Sequence, residues 1–237
     1  MDSLYLWLNL GSLSIPFLYS FHPKLKLYKK WKFIFPSIII MMLFFIPWDI
    51  VFTANGYWGF NPDYLTGIYL VNLPIEEWMF FVCIPYACIF THYALLHYFP
   101  NWKLSENLTS AITFILIALF FLLIVLFYDR WYPVINFGYA VLLLLLVLHY
   151  RKDLLQQFYL TFLVMLIPFF IVNGILTGSF IEEQVVWYDN TQNMGIRMVT
   201  IPLEDSVYAM TMILTPLVLL EYFDSKFSKS TSKLSKS

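Results

Sequence analysis

Seven stretches of this chain are apolar enough and long enough to be membrane-crossing helices, and they leave little freedom for any other fold. They cover residues 4–21, 33–52, 74–98, 111–128, 134–150, 154–176 and 201–223. A helix needs about 20 mainly apolar residues to cross the hydrocarbon core of a bilayer. In lipid each backbone polar group must be satisfied within its own segment, which favours helices. The composition agrees, with 60% hydrophobic and 12% charged residues, against about 25% charged in a soluble domain. The expected fold is an all-α integral membrane protein of about seven transmembrane helices. A net charge of -1 gives no basic field for nucleic acid. Asp2 precedes the first apolar run and no basic n-region is present, so that run reads as a retained helix rather than a cleaved signal.

Charge bias between the runs sets an expected orientation. With the N-terminus outside, Lys24, Lys26, Lys29, Lys30 and Lys32 fall in an inside loop. Lys103, Arg151 and Lys152 fall in later inside loops, and Lys226, Lys229, Lys233 and Lys236 in an inside tail. Only Arg130 and Arg197 of the fourteen basic residues remain outside. The positive-inside rule therefore predicts a multi-pass protein of the cell (inner) membrane with a cytoplasmic C-terminus. The Ser/Lys-rich residues 224–237 read as a disordered, solvated tail that could touch anionic lipid.

Within this apolar chain the same tetrapeptide pattern occurs twice at the start of a run: Pro74-Ile75-Glu76-Glu77 and Pro202-Leu203-Glu204-Asp205. Gly67 and Gly195 each lie seven residues before the proline, and Phe60 and Tyr188 each lie fourteen before it. Upstream, Ile46-Pro47 resembles Ile167-Pro168. Helices one to three thus read as duplicated in helices five to seven, giving two parallel three-helix repeats joined by a central helix. The expected boundaries are residues 1–98 for the first repeat, 99–131 for the joint, 132–223 for the second repeat and 224–237 for the tail. Two repeats of one orientation are related by a pseudo-two-fold along the membrane normal, as in some transporters.

Proline at a helix start followed by acids in the first turn is ordinary capping chemistry. Two adjacent carboxyls exceed what capping needs, and carboxyls in membrane segments usually have a function. Burial and a like-charged neighbour both favour the protonated carboxyl, and an acid kept protonated can serve as a donor. Phe80 and Tyr208 follow the first acids by one turn, placing a ring beside each, and ring faces attract cations. Glu76, Glu77, Glu204 and Asp205 are therefore candidate catalytic groups for acid-initiated chemistry on an apolar polyene, or for a proton relay. Asp49 reads either as a third acid of the site or as a hydrated interfacial residue.

The long outside loops, residues 53–73 and 177–200, are rich in aromatics, Gly and Asn. They read as an interfacial aromatic belt or as a folded cap over the membrane mouth. His92 and His97 are expected at the inner interface, and the four histidines show no shared ligand face. Cys83 and Cys88 lie on one helix with no disulfide or zinc spacing, so no metal site is expected. Pro47, Pro85, Pro168 and Pro216 interrupt apolar runs and are expected to kink them.

Taken together, Trp48-Asp49, Gly56-Tyr57-Trp58-Gly59-Phe60, Leu73-Pro74-Ile75-Glu76-Glu77-Trp78-Met79-Phe80-Phe81 and Ile84-Pro85-Tyr86 resemble the first domain of the small membrane-embedded lycopene cyclases. Val172-Asn173-Gly174-Ile175-Leu176-Thr177-Gly178, Gly195-Ile196-Arg197 and Ile201-Pro202-Leu203-Glu204-Asp205 resemble the second. The two domains occur elsewhere as separate subunits and are joined here. The resemblance covers nearly the whole chain apart from the tail. It implies an isomerase (an intramolecular lyase) that protonates the psi ends of lycopene and closes them to beta-ionone rings, through gamma-carotene to beta-carotene. It implies acyclic or monocyclic carotenes as substrates, the bilayer as surroundings, and room for association with other carotenoid enzymes. Trp48, Asp49, Trp58, Phe60, Asn173, Trp187 and Tyr188 become candidate substrate-binding residues. All four carboxyls of the doublets stand as candidate donors. No Gly-x-Gly-x-x-Gly run is present, so the flavin-binding fold of another cyclase class is not expected, and no cofactor is predicted. A related carotenoid cyclase or hydratase with another product is the alternative, and a proton-coupled transporter a further one. A retinal pigment is rejected, because residues 201–223 contain no lysine for a Schiff base.

Overall fold

The computed structural model describes residues 3–234, with side chains through residue 226. Seven helices are present among them: α1 (Leu4–Tyr19), α2 (Trp31–Ala54), α3 (Ile75–Tyr98), α4 (Glu106–Leu126), α5 (Trp131–Tyr150), α6 (Lys152–Leu176) and α7 (Leu203–Leu234). Six are long and apolar enough to cross a membrane, and α1 is shorter at 16 residues. Large apolar side chains on α2 and α4, such as Leu43, Ile115 and Phe121, are exposed in mid-helix. Such bare hydrophobic faces fit lipid as the surrounding solvent.

Helix ends follow local chemistry. The α4 helix starts five residues before its apolar run, at Glu106, because the Ser105 hydroxyl accepts the Leu108 N–H at 3.3 Å and Glu106 sits in the first turn. The α7 helix continues to Leu234, into the stretch expected to be a solvated tail, and residues 235–237 of that stretch lie outside the described set. No Gly or Pro follows Pro216, and Ser and Lys are compatible with a helix. Lys30 on the turn before α2 pairs with Asp224, which ties the end of the spanning part of α7 to the bundle. A correction concerns His92, which is buried between α3 and α6 with its Nδ1 2.8 Å from the Thr161 hydroxyl, while His97 is exposed.

The duplication is visible in the packing. The α1 helix lies along α3 as α5 lies along α7, and α2 lies along α7 as α6 lies along α3. The α4 helix packs outside this set, against α5 and α6. Facing side chains such as Ile38, Phe45, Phe81, Phe137, Leu144, Phe158 and Leu214 form the common core.

The two long loops fold into a small cap of short strands. In the first loop these are β1 (Trp58–Phe60), β2 (Tyr69–Leu70) and β3 (Leu73–Pro74); in the second they are β4 (Val186–Tyr188), β5 (Arg197–Met198) and β6 (Ile201–Pro202). A hairpin precedes each acid doublet: β2 pairs with β3, and β5 with β6. Each hairpin is closed at its base, by Ile75 N–H to Ile68 O at 2.8 Å and by Leu203 N–H to Ile196 O at 3.0 Å. Each turns through a valine at positive φ, Val71 at 61° and Val199 at 59°. Between the repeats, β1 and β4 pair antiparallel with Gly59 opposite Trp187. The pseudo-two-fold passes through this pair, since Trp58 faces Tyr188 as Phe60 faces Val186. A Cβ on Gly59 would lie 2.3 Å from the Trp187 ring. One bulky and one bare residue share the axis because two rings would not fit.

Candidate active site

The acid doublets begin helices, where adjacent side chains diverge by about 100° around the axis. The two members of each doublet therefore have different neighbours. The first acids are fully buried and clamp the loop ahead of them. Thr66 N–H donates to Glu76 Oε1 at 2.7 Å, and Met194 N–H donates to Glu204 Oε1 at 2.5 Å. Their backbone carbonyls accept from Asn9 and Asn136, each at 2.8 Å. The second oxygen of each carboxyl has no partner among the described residues.

The second acids turn the other way. Tyr5 on α1 donates its hydroxyl to Glu77 Oε2 at 2.6 Å. Tyr132 on α5 donates to Asp205 Oδ1 at 2.6 Å, the matching contact in the other repeat. Asp205 receives a further bond from Tyr188 of β4 at 2.9 Å. Burial, and then the Asp205 carboxyl beside it, raise the Tyr188 phenol well above the ordinary tyrosine range, so it remains a donor.

Glu77 and Asp205 line one cavity of about 250 Å³, together with Asp49 from α2. Asp49 is buried, not hydrated at a surface. Its Oδ1 accepts Trp58 Nε1–H at 2.6 Å and a longer contact from Thr53 at 3.4 Å. Its Oδ2 has no partner among the described residues. Around the three carboxyls stand Tyr5, Trp58, Phe60, Phe80, Tyr132 and Tyr208. Beyond them the cavity runs down α3 to Thr91 and down α6 to Phe162 through a mainly apolar wall. On α3, Thr91 lies fourteen residues after Glu77, a rise of about 21 Å at 1.5 Å per residue.

Of the residues singled out from sequence, Asp49, Trp58, Phe60, Glu77, Asn173, Tyr188 and Asp205 come together in the lining. Glu76 and Glu204 lie outside it. Trp48 stacks on Phe45 and meets Tyr208 edge-on at 5.5 Å, behind the cavity wall. Trp187 sits over Gly59 on the outer side of the cap. The sequence reading missed Tyr5 and Tyr132, and with them Asn9 and Asn136. A signal existed: Tyr-x-x-x-Asn opens both the first and the fifth helix. No group of three or more His, Cys, Asp or Glu among the described residues is arranged to hold a metal ion.

These features define a class: a duplicated, multi-pass helical membrane protein with a carboxyl-ringed, aromatic-walled cavity opening into an apolar slot. The family model for lycopene cyclase matches the chain over residues 2–95 and 129–223. The two matched regions take in both three-helix repeats, and the chain belongs to the lycopene cyclase family. No curated protein and no solved structure matches it. Membership makes the chain an enzyme of carotenoid cyclisation, with a carotenoid as substrate in a membrane setting.

Proposed function

We propose that this chain is a lycopene beta-cyclase. The observation that supports it most is the convergence of Asp49, Glu77 and Asp205 on one apolar cavity, in a chain of the lycopene cyclase family. In the proposed reaction a carboxylic acid adds a proton to the terminal double bond of a psi end. The cation formed is attacked by the neighbouring double bond, which closes a six-membered ring. A carboxylate removes a proton from the ring carbon next to the new cation, leaving the beta-ionone double bond. One proton enters and one leaves, so the step is an isomerisation and consumes no electron carrier.

The reaction needs one acid and one base, and the cavity offers three carboxyls for these two roles. One of Asp49, Glu77 and Asp205 serves as donor and another as acceptor, a division of labour seen wherever paired acids share a site. Tyr5, Tyr132, Tyr188 and Trp58 orient these carboxyls by hydrogen bonds. Phe80, Tyr208 and Phe60 offer ring faces to the cation, an attraction of about 2 kcal/mol where water is excluded. Glu76 and Glu204 brace the hairpins that carry the cap. The lysine-rich loops face the cytoplasm in this reading, which places the acid cluster near the outer side of the cell membrane.

The test is expression in a bacterial host that accumulates lycopene, followed by chromatographic separation of the pigments. The expected result is beta-carotene, with gamma-carotene at early times. Unchanged lycopene, with the protein present in the membrane, refutes the reading.

A further inference from the structure

The pseudo-two-fold predicts a second cavity, on the opposite side of the bundle, related to the first by exchange of the repeats. The residues at the matching positions are larger. The register between the repeats is fixed by hydrogen bonds: Tyr5 is to Glu77 as Tyr132 is to Asp205, and Asn9 is to Glu76 as Asn136 is to Glu204. Three residues beyond Asn9 stands Ser12, which lines the open cavity; three beyond Asn136 stands Tyr139. Ten residues beyond Glu77 stands Ala87, also in the lining; ten beyond Asp205 stands Thr215. Three before Pro168 stands Met165, again in the lining; three before Pro47 stands Phe44.

The three replacements form a single unit. The Tyr139 ring lies 4.5 Å from Phe44 and 5.7 Å from Phe45, centroid to centroid. Its hydroxyl is 2.7 Å from the Thr215 hydroxyl. Phe45 in turn stacks on Trp48 and packs edge-on against Tyr208 at 5.2 Å. Where one repeat has a serine, an alanine and a flexible methionine around empty space, the other has a tyrosine hydrogen-bonded in place and wedged on two phenylalanines. These rings stand where the other repeat has its small side chains, with Phe44 48% exposed on the outer face of the unit and Phe45 buried behind it.

We infer that Tyr139 plugs the second cavity, so that the chain has one carotene slot and cyclises the two ends of its substrate in separate visits. This rests on the cyclase reading above. The monocyclic product must back out of the slot into the bilayer and re-enter by its other end. Ser12 is then a specificity-determining position, since its small side chain keeps the working slot open.

The experiment uses the purified full chain in lipid vesicles. Isotope-labelled lycopene is converted briefly and then chased with excess unlabelled lycopene. The expected result is label retained in the monocyclic carotene, with labelled bicyclic product lost in proportion to the dilution. Labelled bicyclic carotene formed at the undiluted rate overturns the inference and leaves the cyclase reading standing. Monocyclic carotene as the end product without a chase also overturns it. Unconverted lycopene from folded wild-type protein overturns the cyclase reading and this inference with it. In a second arm, Ser12→Tyr is expected to abolish both turnover and binding of lycopene added to the purified protein, whereas Ser14→Tyr, at an exposed position of the same helix outside the lining, retains both. Wild-type turnover by Ser12→Tyr contradicts the single slot.

Discussion

The two acids of each doublet are assigned different work, and three substitutions separate them. Glu76→Ala removes the acceptor of the Thr66 N–H at a site with 0% exposure. A buried donor left without a partner costs about 1–3 kcal/mol, and the lost side-chain methylene about 0.8 kcal/mol more. The expected destabilisation is therefore about 2–4 kcal/mol, felt in the hairpin that leads into α3. Glu76→Gln keeps a carbonyl oxygen for Thr66 and replaces an oxygen that has no partner among the described residues, so its stability should fall within about 1 kcal/mol of wild type. Glu77→Gln likewise keeps an acceptor for the Tyr5 hydroxyl, but it can no longer give or take a proton. General acid–base groups contribute about 10²–10⁴-fold to rate, and a loss of that order is expected for Glu77→Gln at near wild-type stability. The assay pairs unfolding of detergent-purified protein with conversion of lycopene in vesicles. If Glu76→Gln is stable yet loses turnover as heavily as Glu77→Gln, the division of the doublet is wrong. Full turnover by Glu77→Gln would remove that carboxyl from the chemistry.

Other substitutions test the frame around the acids. Tyr188→Phe leaves Asp205 with its bond from Tyr132 and should cost about 0.5–1.5 kcal/mol of stability; its turnover should fall less than that of Asp205→Asn, read in the same vesicle assay. Gly59→Ala places a Cβ against the Trp187 ring and should destabilise by about 1–3 kcal/mol; the loss should shrink in the Gly59→Ala, Trp187→Gly double variant, and strict additivity would show that the two residues do not share the axis. Val199→Gly relieves a left-handed β-branched residue that is 87% exposed; a gain of up to about 1 kcal/mol is expected on unfolding, and a clear loss would mean that the exposed valine is held by contacts outside the chain.

The apolar runs made the helices legible, because length and hydropathy alone decide what crosses lipid. The repeat was legible because its anchor, Pro-apolar-acid-acid with a glycine seven residues ahead, needs a fixed local geometry at the end of a hairpin. The orientation of each acid was not legible. Successive residues at a helix start point to different sides, and which side faces the cavity depends on where α1 and α5 lie, a long-range fact. Tyr5 and Tyr132 carry that information, but an isolated tyrosine at the start of an apolar run also reads as an interfacial belt residue. Asp49 was ambiguous for a related reason. Two residues after Pro47, it has Phe170 as its counterpart after Pro168, so the repeat gave it no support. That lack of a counterpart is itself informative. A duplicated scaffold supplies two equivalent carboxyls, but proton addition and proton removal are opposite tasks that equivalent groups do not share well. The departures from symmetry, Asp49 against Phe170, Gly59 against Trp187 and Ser12 against Tyr139, distinguish the two halves near the cavity and its cap. In the proposed mechanism, duplication supplies the frame, and the unmatched residues turn a symmetric pair of acids into a site with one working slot and chemically unequal ends.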